Sequence, residues 1–210
     1  MNKYYTNENV PYNQIEGMLM PDESMIWQGT PKRSAFILNS SIKMMPFAIL
    51  WLLFDGFFIS VLVGTGAMGS MLWFLIPFFL LHLLPVWLWL SNVLTANARW
   101  KNTEYAVTDK RILIRNGLIG YQYNSIYYTD ISNVSLRVGV IDRMLGVGDI
   151  LFSLSKKAGQ QSSTAILDVE DPQRIFGIIQ KTVMDIQTDI HYPNALRPDS
   201  NPGYHTQYRP

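Results

Sequence analysis

Two nearly pure apolar runs, residues 44–63 and 71–94, are joined only by the short uncharged link Gly64-Thr-Gly-Ala-Met-Gly-Ser70. A helix needs about 20 apolar residues to cross the hydrocarbon core of a bilayer. Each run supplies that length, and so short a link between them fits an antiparallel pair of transmembrane helices. Lys32, Arg33 and Lys43 precede the first run, Arg99, Lys101, Lys110 and Arg111 follow the second, and the link carries no basic residue. The cytoplasmic bias of Lys and Arg places both termini on the inner side of a plasma membrane, as a multi-pass protein. Trp73 and Trp100 suit the two interfaces. The first forty residues are polar, and no cleaved secretory signal is expected ahead of the first run.

Asp55 and His82 interrupt the two runs. Counted from the link at about 1.5 Å per residue, both fall near mid-membrane. A charge there costs about 2.5–3.5 kcal/mol on insertion scales, which pairing or protonation relieves. Two readings follow. One is a proton or ion site completed by other chains; the other is a polar clamp between the two helices or towards another subunit.

The remainder is soluble in character, and its composition excludes several classes. A net charge of +1 over 210 residues argues against nucleic acid as a partner. Without cysteine there is no disulfide scaffold, thiolate metal site or thiol nucleophile. The three histidines are His82, in an apolar run, and His191 and His205 near the C-terminus. No zinc-binding His-Glu-x-x-His, phosphate-cradling loop or complete dinucleotide motif occurs. No catalytic residue, metal or cofactor is expected, and the chain is not read as an enzyme.

After Trp100 the hydrophobic period changes to alternation. Thr103–Thr108 and Arg111–Arg115 read as strands around an Asp109-Lys110 turn, and Asn116-Gly117 signals a two-residue hairpin. Leu118–Tyr128, Ile131–Val138 (with a slip near Asn133), Asp149–Leu154 and Ser162–Val169 follow as strands, with a polar loop at Lys156–Gln161. Asp171 and Pro172 open a helix whose Ile175, Ile178, Ile179, Val183 and Ile186 form one apolar stripe, a lid for a sheet. Glu23–Pro31 is also strand-like and is expected to extend the same sheet. The resulting organisation is a tail over 1–22, a pre-membrane segment over 23–43, the hairpin over 44–94, a domain over 101–190 and a second tail over 191–210. Both tails are too polar to bury enough apolar surface to order themselves. The fold class is α+β: a membrane hairpin plus a bent β-sandwich or barrel capped by its C-terminal helix.

Three stretches then resemble a family of bacterial membrane proteins with a pleckstrin-homology-like (PH-like) domain. They are Glu23-x-x-x-Trp27-x-Gly29-x-Pro31, Tyr105-x-Val107-Thr108-Asp109-x-Arg111-Ile112, and Asp130-Ile131-x-x-Val134 with Arg143-x-x-Gly146-x-Gly148-Asp149-Ile150. The resemblance implies a strongly bent sheet of about seven strands plugged by a C-terminal helix, in a bacterial membrane, and no reaction. The motif residues also have a structural reading. Thr108 and Asp109 bond amides in a turn, Arg111 pairs with a carboxylate, and Gly146 and Gly148 free the backbone before a strand.

Lys101, Lys110, Arg111 and Arg115 are the candidate contacts to lipid headgroups, or else ordinary juxtamembrane charge. The leading expectation is a membrane-anchored binding or scaffolding module, in contact with the bilayer and with a protein partner or another copy of itself. Its alternatives are a sensor of anionic lipid or envelope stress, and a transporter subunit using Asp55 and His82.

Overall fold

The computed structural model describes residues 15–66, 68–154 and 165–191. The loop at Lys156–Gln161, the start of the strand at Ser162, the outer parts of both tails and His205 lie outside the described residues. Residues up to Ala35 together with those from Arg99 onward form one compact unit, and Phe36–Ala98 form a second.

The first unit holds the β structure. β1 (Met25–Gly29), β2 (Glu104–Thr108), β3 (Arg111–Asn116) and β4 (Gln122–Tyr127) make an antiparallel sheet in that order. β5 (Ile131–Arg137), β6 (Val147–Leu154) and β7 (Ala165–Glu170) make a second antiparallel sheet. Neighbouring strands β1 and β2 pair through Gly29↔Tyr105 and Met25↔Thr108 although the entire apolar stretch separates them in sequence. Side chains alternate across a strand. Tyr105, Val107, Ile112, Ile114 and Ile126 therefore enter one core with Ile131, Ile150, Phe152, Ile166 and Val169 of the second sheet. Ala106 and Leu113 point to the other face, where they bury Ile15. The slip expected near Asn133 is a register shift between Ile131 and Asn133.

The core is closed by the last helix, Pro172–His191, whose Ile175, Ile179 and Val183 are buried in it. Each such side chain contributes about 1.5–3 kcal/mol, so the stripe holds the two sheets together. Pro172 starts the helix without loss, since an N–H there has no partner.

Three local readings change. Asn116-Gly117 does not form a two-residue hairpin, because β3 pairs β4 through Ile112↔Ile126 and Asn116↔Gln122. A two-residue turn would pair Ile112 with Tyr121 and leave Ile126 outside the core; the register that fills the core wins. Gly117–Tyr121 becomes a loop, and the strand expected from Leu118 begins only at Gln122. Residues 15–22, assigned to a tail, are ordered: a 3₁₀ turn at Ile15–Met18 buries Ile15 completely against the sheet. A short helix, Val140–Leu145, was not anticipated. Asp142 Oδ2 accepts the Gly139 N–H at 2.8 Å at its start, and Gly146 ends it at φ +68°, a conformation glycine adopts freely.

In helix numbering along the chain, that short helix is α5 and the lid is α6. They follow α1 (Arg33–Ile42), also unanticipated, α2 (Met45–Gly64), α3 (Met68–His82) and α4 (Leu84–Lys101). α2 is long and apolar enough to cross a membrane. Only Ala48 and Asp55 of α2 are buried, while residues such as Leu53 and Phe57 are exposed. The expected second span, 71–94, is not one straight helix. It breaks at Leu83 into α3 and α4, bent by 51°. Pro85, in the first turn of α4, lacks an N–H, and its ring excludes the Leu81 carbonyl of a continuous helix.

Candidate functional site

Among the described residues, polar or unsatisfied chemistry concentrates at one place in the helical unit and at two in the β unit. Within the helical unit, α2 carries Asp55 and the end of α3 carries His82, and the two side chains meet. His82 Nε2 lies 3.1 Å from Asp55 Oδ1. The Asp55 side chain is 6 % exposed. Despite the short distance, the angles are not those of a hydrogen bond, and both Asp55 oxygens and His82 Nε2 are otherwise without a partner among the described residues. Aromatic rings enclose the pair: Phe78 stacks on the imidazole at 4.9 Å and Trp51 lies at 5.0 Å. Trp51 Nε1 donates to the His82 carbonyl at 2.8 Å, one of the carbonyls that the break after α3 leaves without a helical donor. The structure therefore brings a carboxyl group and an imidazole together within apolar walls, without a hydrogen bond between them. Among the described residues there is no group of three or more His, Asp or Glu side chains able to hold a metal ion.

In the β unit, the points where the chain leaves for the helices and returns are fastened together. Trp100 Nε1 donates to the Pro31 carbonyl at 2.8 Å, and the Arg33 guanidinium stands 5.6 Å above the Trp100 ring. The Lys32 N–H donates to the Asp168 carbonyl at 2.8 Å. Its Nζ reaches Glu170 at 3.0 Å and donates to the Leu145 carbonyl at 3.0 Å. On the returning side, Asn102 Nδ2 donates to the Leu118 carbonyl at 3.1 Å, holding the β3–β4 loop beside the end of α4.

Strand direction then sorts the candidate headgroup contacts. β2 runs from Glu104, next to the return point, to Thr108; its turn with β3 is thus at the far end of the sheet. Lys101 and Arg115 lie at the return end, whereas Lys110 and Arg111 lie at the other. Arg115 is paired with Glu104 at 3.1 Å. The four residues do not form one exposed cluster.

Arg111 is instead the centre of a buried network. Its Nε and Nη2 donate to Glu23 Oε1 and Oε2 at 3.0 and 2.9 Å, Nη2 to the Met18 carbonyl at 2.8 Å, and Nη1 to Ser125 Oγ at 3.1 Å. Glu23 also accepts from Thr108 Oγ1 at 2.7 Å and from the Met20 N–H at 2.8 Å. Burial alone would raise the Glu23 carboxyl, but the bonds from Arg111, Met20 and Thr108 outweigh it and hold the group below the ordinary carboxylate range. Asp109 ties the same turn to Ser24, accepting its N–H at 2.9 Å. Trp27 lies over Gly29, where an added Cβ would come 2.5 Å from its ring. Near Gly148, Asp149 pairs with Arg137 at 2.6 Å and accepts the Asp168 N–H at 3.0 Å, while Arg143 of α5 is exposed. Burial, ahead of the nearby Asp168 and Asp149 charges, raises the Tyr105 phenol, whose oxygen accepts the Leu167 N–H at 3.2 Å.

Sequence reasoning counted Lys32 only as juxtamembrane charge and Leu118 only as the start of a strand, and gave no binding role to Lys32, Asn102, Leu118 or Ile119. The local signal for the last two was an apolar pair between Gly117 and Gly120, where a strand could not continue smoothly. The signal for Lys32 and Asn102 was only their adjacency to the apolar stretch.

Compared with known proteins, the chain matches the family model described as "Bacterial PH domain" over residues 47–183. A solved structure of a DUF1696 family protein with a pleckstrin-homology domain from Shewanella loihica PV-4 matches at 19 % identity and a TM-score of 0.30. That match covers 41 % of this chain and 72 % of the other. No curated protein matches significantly.

Proposed function

The chain belongs to the bacterial PH domain family, and on that footing we propose that it is a non-enzymatic binding or scaffolding module anchored in the bacterial plasma membrane. The observation that carries this reading is the insertion of the apolar helices between two paired strands, β1 and β2, with the crossing points fastened by the Trp100–Pro31 bond. A module whose sheet is interrupted in this way cannot leave its anchor without losing an edge strand. Most apolar residues of α2 are exposed, which water does not tolerate and hydrocarbon does. The bent α3–α4 pair serves as the returning span, so that both termini remain in the cytoplasm.

Binding then falls to what the β unit presents. β1 and β4 are the outer strands of one sheet, β5 and β7 of the other, and outer strands offer backbone groups to a protein partner or a second copy. The test has two steps. Alkaline extraction of membranes should leave the full-length protein in the pellet, and a tag at either terminus should be protease-protected in right-side-out vesicles. Site-specific cross-linking from an exposed β4 position such as Gln122 should then give one discrete adduct. Release by alkali refutes the anchor, and no adduct from any outer strand refutes the scaffold.

The Asp55–His82 approach supports a second reading, a transporter subunit that moves protons or ions through a path shared with other chains. Loss of transport in Asp55→Asn with assembly intact would favour it; normal growth and assembly would leave the pair as a clamp between helices.

A further inference from the structure

The β unit exposes two apolar tips, and both are tied to the points where the chain departs for the helices. The first is the β3–β4 loop, with Ile119 99 % exposed and Leu118 and Tyr121 also outside. Asn102 holds this loop at the return point. The second is α5, where Val140 and Met144, one helical turn apart, are each 82 % exposed. Lys32 holds its end through the Leu145 carbonyl at the departure point. The Trp100–Pro31 bond and the Arg33–Trp100 contact bring departure and return together. The two tips therefore bracket one face of the unit.

We infer that this face rests on the bilayer and that Ile119, Val140 and Met144 insert into it as a membrane-docking surface of the domain. The inference rests on the membrane-anchored reading above and adds what the domain itself touches. Water leaves a side chain as exposed as Ile119 without compensation, whereas an interface buries it. Leu94, the last residue of the second apolar run, precedes Trp100 by a stretch that spans only about 9 Å if helical. The return point thus falls at the depth of the headgroups. Trp100 and Tyr121 are the amphipathic rings favoured at that depth. Lys101, next to the return point, and Arg143, on α5, are exposed, a charge suited to anionic lipid. The far end of the sheet, with the Asp109-Lys110 turn, stays in water.

The chain contains no cysteine, which permits single-site labelling of the full-length protein. Ile119→Cys, Met144→Cys, Lys110→Cys and Leu53→Cys would each carry an environment-sensitive fluorophore. Each would be reconstituted into vesicles of phosphatidylethanolamine with one quarter phosphatidylglycerol. Labels at positions 119 and 144 should emit to the blue of the label at 110 and be quenched by nitroxide lipids more than by aqueous iodide; the label at 110 should behave oppositely. Iodide quenching at 119 and 144, with the Leu53 label still lipid-quenched, overturns the docking face and leaves the anchor standing. Blue-shifted labels at 119 and 144 that nitroxide lipids do not reach mean a protein cover instead, and also overturn it. A Leu53 label quenched by iodide refutes the anchor, and the docking face falls with it.

Discussion

Replacing Arg111 with methionine should be among the most destabilising single changes in the β unit. The Glu23 side chain has no exposed surface and the Arg111 side chain is 11 % exposed. The substitution removes a bidentate ion pair and the bonds to Met18 and Ser125, and leaves a carboxylate buried without its cation. Breaking a buried pair from one side costs about 3–5 kcal/mol. At about 2–4 °C per kcal/mol for a chain of this size, the melting temperature should fall by about 6 °C or more. The assay is thermal unfolding of the full-length protein in one detergent, followed by near-ultraviolet circular dichroism. Lys110→Met, on the exposed turn, serves as the control and should stay within about 0.5 kcal/mol.

Acidity supplies a second, sign-specific check. In the native protein the Glu23 carboxyl is held below its ordinary value of 4.5. Its contribution is therefore complete above that value and is lost as pH falls through the folded value. In Arg111→Met, burial without the cation raises the same group, so the variant gains stability on acidification as the carboxyl becomes neutral. The gap between native and variant should narrow from pH 7 towards pH 4. Adding Glu23→Gln to Arg111→Met should recover part of the loss, since the uncompensated charge disappears. A variant as stable as Lys110→Met, or a gap that widens with acid, would refute the account of the network.

Gly146→Ala places a side chain at φ +68° and should cost about 1–2 kcal/mol, read as a lower melting temperature with the fold unchanged. Burial raises the Tyr105 phenol. The unfolded phenol ionises near pH 10 while the folded one stays neutral, so stability should decline above that pH, and Tyr105→Phe should lessen the decline in an alkaline melt. His82→Ala leaves the buried Asp55 carboxylate without the imidazole at 3.1 Å. It should lower the thermal stability of the helical unit by more than Asp55→Asn does, and equal effects would show that the two side chains are not coupled.

The sequence by itself determined the elements whose evidence is local and repeated. The apolar run from residue 44 needs no partner to be a helix, since its length and composition suffice. The strands from Thr103 to Arg115 show their alternation, and the Ile175–Ile179–Val183 stripe declares both a helix and the need for a sheet beneath it. The PH-like identity rested on spacing between such elements, which a chain carries in one dimension.

What failed locally did so because a longer-range contact outweighed it. Asn116-Gly117 has the chemistry of a tight turn, but burying Ile126 and Tyr128 is worth more than the preferred turn, and the loop lengthened. Residues 15–22 are too polar to order alone; Ile15 finds a ready surface between Ala106 and Leu113, and Arg111 reaches the Met18 carbonyl from 93 positions away. Proline at position 85 was visible, but the 51° bend it permits was not, because a proline restricts the backbone without fixing its direction.

The four basic residues looked like one cluster because they are close in sequence. Antiparallel pairing sent Lys110 and Arg111 to one end of the sheet and Lys101 and Arg115 to the other, and Glu23 claimed the Arg111 guanidinium. Sequence sets which groups a chain has and how each prefers to turn. Only the tertiary structure decides which groups meet, because that choice minimises buried, unpaired polarity over the whole chain at once.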